Sequence, residues 1–175
     1  QGCPTINQIE TWSSSMLKAD NNEVQFGYTG VDFDMEGNCS TVSQIEPLLK
    51  GIKGIKANGK SLETQITYYM DDYTVPKFTS FENIDYLAPM MYQTKDFTEW
   101  GGWCNTNSPL QKAIKSAIDT CKSKKCKVVL IVPYGNLENN KQQLQCASDY
   151  LNSIKAKGYI AGVTLFQQAD WKFCF

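Results

Sequence analysis

The chain has 175 residues, of which 42% are hydrophobic, and this composition is typical of one globular domain with a substantial core. Its 17 basic and 18 acidic residues nearly balance, so no long-range field attracts nucleic acid, and no apolar run approaches the ~20 residues needed for insertion into a membrane. Histidine is absent, which removes the commonest general base and metal ligand and leaves acid–base chemistry to carboxylates, Lys, Cys or Tyr.

Helical and strand-like stretches alternate along the chain. Apolar residues at helical spacing predict the helices, whereas β-branched and aromatic residues predict the strands. The predicted helices cover residues 6–19, a stretch from a cap at Ser40 or Thr41 to about residue 57, residues 109–121 after a cap at Ser108, and residues 139–157. The predicted strands cover residues 27–36, 63–70, 84–92, 127–133 and 159–168, with a loop over residues 71–83 that could contain a short helix.

This order predicts an α/β fold in one domain, residues 1–175, with a parallel sheet and right-handed crossovers. An open doubly wound sheet and a closed barrel both fit the order. Neither GxGxxG nor GxxxxGK[ST] occurs, and no cofactor or metal is expected. We interpret the basic run of Lys122, Lys124, Lys125 and Lys127 as a solvated turn.

Three acidic residues, Asp32, Asp34 and Glu36, occupy alternate positions of one predicted strand. Side chains on a strand point to opposite faces with period two, so the three carboxyls are expected to project to one side. Like charges on one face of a strand repel, and burying any of them costs several kcal/mol more. The pattern therefore predicts a proton-handling site. The alternatives are solvated charges and, for Asp32, a structural acid bonded to the backbone.

Seven cysteines are many for a domain of this size, and they lie at positions 3, 39, 104, 121, 126, 146 and 174. None forms a close zinc-type pair, so we predict disulfides and an extracellular or lumenal location for a processed secreted chain. Cys121 and Cys126 can bridge locally, whereas the other pairings stay open. The odd number leaves one thiol free or bonded to another polypeptide. Asn38 begins a short glycosylation pattern, Asn-Cys-Ser.

Five segments of the chain match motifs of one enzyme family, in the family's order. Gly30-Val-Asp-Phe-Asp-Met-Glu36 resembles the DxxDxDxE signature of family 18 glycoside hydrolases, the chitinase family. Ile84–Tyr92 resembles the family's strand 6 with its Met-x-Tyr-Asp motif, and Asn107–Leu110 resembles the segment that follows it. Val128–Gly135 resembles strand 7, and Gly162–Phe166 resembles strand 8.

The resemblance implies a (β/α)8 TIM barrel in which this chain supplies about strands 4–8. Such barrels take ~250 residues, and five strands alone would leave two unpaired edges that favour aggregation. We therefore expect a further polypeptide segment to supply strands 1–3, with the odd cysteine as a candidate tether. The alternative is a shortened, open α/β fold.

The resemblance also implies the chemistry. In this family the acetamido oxygen of the substrate attacks its own anomeric carbon, outside the usual two-carboxylate scheme. Glu36 matches the general acid, and Asp34 matches the residue that steadies the oxazolinium ion and shares a proton with Glu36. Asp32 would keep the cluster from carrying three charges, since close carboxyls push one pKa upward. Tyr92 matches the phenol that holds the acetamido carbonyl, although it also fits a plain core position.

Three positions depart from the family pattern. Thr29 replaces the first signature Asp, Gln93 replaces the Asp after Tyr92, and Phe166 replaces the strand-8 Trp. Gln93 can still bond the substrate, and Phe166 keeps an apolar platform with less stacking area. These changes leave rate and substrate choice open.

Aromatic residues in or beside the loops after the strands are further candidates for substrate binding. They could stack on sugar rings or pack under their own loops. They are Trp100, Trp103, Tyr134 and Trp171, to which Met90 is added as a site candidate that also fits the core.

The first functional hypothesis is a retaining glycosidase that cleaves β-1,4 bonds at N-acetylglucosamine, in chitin or in the core of N-linked glycans. The second is a chitinase-like lectin that binds such glycans without cutting them, and the third is a structural protein with a drifted site. Lectin-like relatives usually lose the acid Glu, so the presence of Glu36 favours the enzyme.

Overall fold

A computed structural model of the chain describes residues 3–17, 30–57, 60–69, 74–91, 102–133 and 141–166. The helices are α1 (Ile6–Leu17), α2 (Val42–Gly54), α3 (Pro109–Lys124) and α4 (Lys141–Ser153), with a 3-10 turn at Gly37–Cys39. The strands are β1 (Gly30–Asp34), β2 (Lys56–Ala57), β3 (Lys60–Ser61), β4 (Glu63–Tyr69), β5 (Tyr86–Met90), β6 (Lys127–Pro133) and β7 (Ile160–Phe166).

The five longer strands form one sheet in the order β1-β4-β5-β6-β7, and β2 and β3 form a small antiparallel pair. The pairs β1–β4, β5–β6 and β6–β7 are parallel. Each of the five predicted strands and four predicted helices corresponds to one of these elements. The predicted α/β class with a parallel sheet is therefore confirmed in the described part of the chain.

The chain divides into two compact units, the first of which comprises residues 1–67 and 76–85. Its buried core includes Ile45, Leu48, Leu49 and Ile52 of α2. Phe33 of β1 and Ile66 of β4 are also buried. The backbone N–H of Thr41 donates to Gln44 Oε1 at 3.1 Å, which confirms Thr41 as the cap of α2. Helix α2 ends at Gly54, earlier than the predicted residue 57, because Ile55 adopts extended backbone and leads into the β2–β3 pair.

The second unit comprises residues 68–75 and 86–175. Helix α3 begins as predicted, because Ser108 Oγ accepts the N–H of Gln111 at 3.2 Å and Pro109 occupies the first turn. Its apolar residues are fully buried and form one face, at Leu110, Ala113, Ile114, Ala117, Ile118 and Cys121. Strand β6 follows it and pairs on one side with β5 and on the other with β7.

Three disulfides link the described cysteines: Cys3–Cys39, Cys104–Cys146 and Cys121–Cys126. The local bridge predicted between Cys121 and Cys126 is confirmed, while Cys174 lies outside the described residues. Among the described helices, none combines the length and the apolar character needed to cross a membrane. The three disulfides are compatible with the extracellular location that the cysteine content predicts.

Candidate active site at the end of strand β1

The acidic residues of β1 share one face with polar residues of β4. Asp32 lies opposite Gln65, and Asp34 lies opposite Thr67. Since paired residues of parallel strands point to the same side, these four side chains line one surface. Phe33, between the two acids, is only 6% exposed and belongs to the core on the other side. The alternation predicted from the sequence is therefore present for Asp32 and Asp34.

The carboxylate of Asp32 is held by a side chain of the neighbouring strand. Thr67 Oγ1 lies 2.8 and 2.9 Å from the two carboxylate oxygens, and Gln65 Nε2 donates to Thr67 Oγ1 at 3.4 Å. Because Gln65 is the donor in the second bond, the hydroxyl hydrogen of Thr67 is left to point at Asp32. Burial raises the pKa of Asp32, and the hydrogen bonds from Thr67 and Gln65 act in the opposite direction.

Asp34 is the residue with the proton affinity best suited to chemistry near neutral pH. Partial burial, together with repulsion from Glu36 and from Asp32, raises the pKa of Asp34 to about 6. The side chain remains exposed, so a proton or a ligand can reach it. A carboxyl with this pKa can release or accept a proton near pH 6.

Glu36 lies two residues beyond the end of β1 and not on the strand itself. The N–H of Met35 donates to the carbonyl of Thr67 at 2.8 Å, and the N–H of Glu36 turns back to the carbonyl of Asp34 at 2.9 Å. The chain then enters the 3-10 turn through Gly37, whose φ of +54° suits glycine. Glu36 is exposed, and its negative charge is one of the causes of the raised pKa of Asp34.

The turn that carries Glu36 is covalently anchored. Cys39, three residues after Glu36, forms a disulfide with Cys3 just before α1. The N–H of Cys39 also donates to the carbonyl of Glu36 at 3.1 Å. Hydrogen bonds to β1 and β4 on one side and the disulfide on the other therefore restrict the path of this turn.

Two further site candidates, Met90 and Trp103, lie in the second unit and are buried. Met90 is 1% exposed and packs with Ala88 and Ile131. Trp103 is 3% exposed, and its ring centroid lies 6.4 Å from that of Tyr150. Stacking on a sugar requires an accessible ring face, whereas Trp103 occupies the packed position that the sequence also allowed, so its role in binding stays a prediction. Met90 likewise occupies the core position that the sequence allowed.

The other predicted site residues fall outside what the structure describes. Tyr92, Gln93, Trp100, Tyr134 and Trp171 lie outside the described residues, as does Thr29 of the signature. The backbone of Phe166 belongs to β7, and that of Asn38 belongs to the 3-10 turn, but their side chains are outside the description. Their predicted roles stay predictions.

Sequence reasoning missed Thr67 and Gln65 as members of the site. Both lie on β4 with one residue between them, in Glu63-Thr-Gln-Ile-Thr-Tyr-Tyr69. Their polar character at alternate positions of the strand, with Ile66 between them, was the available indication. It did not identify Asp32 as their partner, because that depends on the register between β1 and β4.

The site consists of carboxylates, a hydroxyl and an amide. Within the described residues, no group of three or more His, Cys, Asp or Glu side chains could hold a metal ion. The chain matches no model of a known protein family, and a search of curated proteins gave no significant match. The chemistry of this surface must therefore be argued from its own residues.

Proposed function

We propose that this chain carries the acid cluster of a retaining glycosidase of the chitinase type, which cleaves β-1,4 bonds at N-acetylglucosamine. The observation that carries the proposal is the group of three carboxyls at the end of β1, in which Asp34 has a pKa of about 6. Acid-catalysed cleavage of a glycosidic bond needs one protonated carboxyl and one group that stabilises positive charge. Three acids within five consecutive residues, Asp32 to Glu36, can supply both the proton donor and the stabilising group.

In the proposed reaction Glu36 donates a proton to the departing sugar while the acetamido oxygen of the substrate attacks the anomeric carbon. Asp34 stabilises the resulting oxazolinium ion and shares a proton with Glu36. Its pKa of about 6 means that Asp34 passes between its two protonation states at mildly acidic to neutral pH. Tyr92 would hold the acetamido carbonyl in line for attack.

Thr67 and Gln65 extend the cluster to the neighbouring strand. By donating to Asp32, Thr67 favours the ionised form of that carboxyl, and the charge of Asp32 is one cause of the raised pKa of Asp34. The hydroxyl on β4 thus acts through Asp32 on the proton affinity of Asp34. We regard Thr67 as a positioning residue, since it bonds another acid and not the substrate.

The proposed fold is a (β/α)8 barrel in which β1, β4, β5, β6 and β7 are the family's strands 4–8. The parallel sheet in this order supports the proposal. Three further strands would complete the barrel, and we propose that another polypeptide segment supplies them. Three disulfides support an oxidising, extracellular or lumenal setting for the assembly.

A chitinase-like lectin is the second candidate. Gln93 carries no charge where the family has Asp, and Phe166 offers less stacking area than Trp. Both changes would reduce turnover more than binding. The presence of Glu36 distinguishes the enzyme from lectins of this type, which usually lack it.

Release of a chromophore from a chitobiose glycoside tests the proposal. We expect turnover by the wild type and a loss of about 10²–10⁴-fold in Glu36→Gln, which keeps the shape of the side chain but cannot act as the acid. The matched control is Glu82→Gln, because Glu82 is also exposed but lies between β4 and β5 in sequence and is not a member of the carboxyl cluster.

The binding of chitooligosaccharides separates the two candidates. Wild-type turnover no higher than that of Glu36→Gln, combined with retained binding, would favour the lectin. Absence of both turnover and binding in a folded protein would contradict the proposal altogether.

A further inference from the structure

Two turns of the second unit lie side by side. One joins α3 to β6 and the other joins α4 to β7. Lys122, in the last turn of α3 just before the first of these turns, donates from Nζ to the carbonyl of Ile154 on the second at 3.0 Å. The same Nζ lies 5.6 Å from the centroid of the Tyr159 ring. The N–H of Val128 donates to the carbonyl of Tyr159 at 2.7 Å. The structure therefore unites two segments that are about 30 residues apart in sequence.

These turns concentrate positive charge. Five exposed lysines and the half-buried Lys122 form what we call the basic turn surface: Lys122, Lys124, Lys125, Lys127, Lys155 and Lys157. Neither residues 120–133 nor residues 150–159 contain an acidic residue. The sequence showed only half of this surface, since Lys155 and Lys157 come from the second turn.

The acids of the described chain leave this charge largely uncompensated. Asp119, one turn earlier in α3, forms an ion pair with Lys115 and approaches Lys122 at 3.7 Å. Within the described residues, the five exposed lysines of the surface have no ion-pair partner. A positive region of this kind persists although the whole chain has a net charge of −1. It is therefore available to an external anion.

The backbone beneath the lysines is fixed. The Cys121–Cys126 disulfide closes the first turn, in which Lys125 adopts a φ of +66° and donates its N–H to the carbonyl of Cys121 at 2.8 Å. In the second turn the N–H of Lys155 donates to the carbonyl of Asn152 at 3.1 Å, and the N–H of Tyr159 donates to the carbonyl of Ala156 at 2.9 Å. Because the turns are already ordered, a ligand would bind them at a smaller cost in backbone entropy.

We propose that the basic turn surface binds an anionic polysaccharide of the sulfated type. The chain contains no arginine, so each contact comes from a lysine ammonium that acts as a point charge and not as a bidentate fork. Such contacts suit sulfate groups spaced along a flexible polymer. The three disulfides indicate an oxidising compartment outside the cytosol and the nucleus, which favours a glycan over nucleic acid as the polyanion.

A single-stranded nucleic acid is the competing occupant, and the surface suits it less well. Proteins that bind single strands combine basic residues with accessible aromatic rings on which bases stack. Tyr159 is the aromatic residue of the two turns, and the ammonium of Lys122 lies over its ring. Charge alone would then have to hold the strand.

Binding of a heparin oligosaccharide, measured by calorimetry at several salt concentrations, tests the proposal. We expect binding at 50 mM salt and, for about four ionic contacts, a loss of roughly a hundredfold in affinity between 50 and 200 mM salt. The variant Lys124→Gln/Lys127→Gln/Lys157→Gln should bind at least about tenfold more weakly, because it loses three of these contacts.

The matched control is Lys50→Gln/Lys77→Gln/Lys112→Gln, which removes three exposed lysines from other parts of the chain. Each triple variant has the same net charge, so a general charge effect would weaken both equally. We expect the control to change the affinity by less than about twofold. Equal weakening in both variants would overturn the proposal, as would the absence of wild-type binding at 50 mM salt.

Two further measurements keep the test independent of variant folding and identify the polymer class. Lysine acetylation of the wild type should be slowed by heparin at the surface lysines and unchanged at Lys50, Lys77 and Lys112, and uniform protection would overturn the proposal. A single-stranded DNA of equal charge should bind more weakly than heparin. DNA binding of equal or greater strength would overturn the choice of a polysaccharide.

Discussion

The hydroxyl of Thr67 is the smallest feature on which the acid cluster depends. It lies within 2.9 Å of both oxygens of Asp32 and is itself oriented by Gln65. Sequence alone predicted the acids, because their alternation and their charge are visible in one strand. It could not predict Thr67, since a threonine in a strand is ordinary and its importance here comes from its cross-strand neighbour.

Replacing Thr67 by valine keeps the shape of the side chain and removes the donor to Asp32. We expect the pKa of Asp32 to rise, because a hydrogen bond that favours its ionised form is lost. We also expect the free energy of unfolding to fall by about 1 kcal/mol. Titration of the Asp32 carboxyl by NMR and urea denaturation measure the two effects. Thr67→Ser, which retains the hydroxyl, is the control, and an unchanged Asp32 titration in Thr67→Val would show that the bond has no such role.

The raised pKa of Asp34 has a consequence for stability. In the unfolded chain an aspartate has a pKa of ~3.9, whereas burial and the neighbouring carboxyls raise the pKa of Asp34 to about 6 in the fold. The folded state therefore holds this proton more tightly. Its contribution to stability is full below pH 4 and is lost as the pH rises through 6.

Asp34→Asn removes that dependence. We expect the difference in melting temperature, variant minus wild type, to increase by about 2 °C between pH 4 and pH 7, because only the wild type loses stability as Asp34 ionises. The effect is small because water partly screens this exposed carboxylate. Thermal denaturation of both proteins across this range gives the difference. A difference that stays constant with pH would contradict a raised pKa at Asp34.

Among the secondary-structure elements, β1 shows both what the sequence pattern predicts correctly and what it does not predict. The period-two alternation predicted that Asp32 and Asp34 share one face of the strand. The register with β4 agrees, since it places them opposite Gln65 and Thr67 on one face of the sheet. The same pattern extended the strand to Glu36, but the structure ends it at Asp34. A return hydrogen bond from Glu36 to Asp34 and a glycine with positive φ redirect the chain, and neither effect has a periodic signature.

Disulfide connectivity was also beyond prediction, apart from the local Cys121–Cys126 bridge. Cys3 and Cys39 are 36 residues apart, and their bond depends on where α1 and the turn after β1 meet in the fold. Spacing in sequence carries no information about that meeting point.

The two bridges of different span should differ in their contribution to stability. In the chain-entropy description, the Cys3–Cys39 bridge contributes about 4 kcal/mol and the Cys121–Cys126 bridge about 2 kcal/mol, because a longer loop restricts the unfolded chain more. We expect Cys3→Ser/Cys39→Ser to unfold at lower urea concentration than Cys121→Ser/Cys126→Ser. The reverse order would show that native contacts, and not loop length, dominate.

For the whole molecule, the element order predicted the parallel α/β sheet, because each strand and helix has its own local pattern. The gathering of lysines at one end was not predictable in full, since net charge and local runs do not reveal which turns become neighbours. A barrel of the proposed kind needs three strands in addition to the five of this sheet. Those strands must form hydrogen bonds with the outer strands β1 and β7.

The protein isolated in its oxidised, native form should therefore carry additional polypeptide. We expect light scattering to give a mass above the 19.7 kDa of this chain, and we expect a non-reducing gel to show whether the association is covalent. A monodisperse species of 19.7 kDa that hydrolyses the chitobiose glycoside would contradict the proposed complementation.

The anchoring of the Glu36 turn through Cys3–Cys39 also has a consequence for timing. In a newly synthesised chain in a reducing environment both thiols are free, and the turn that carries Glu36 keeps its backbone hydrogen bonds but lacks its covalent anchor. Under the proposed function, the polypeptide would gain the capacity to cut glycans only after oxidative maturation. Hydrolysis before the protein reaches an oxidising compartment would thereby be limited.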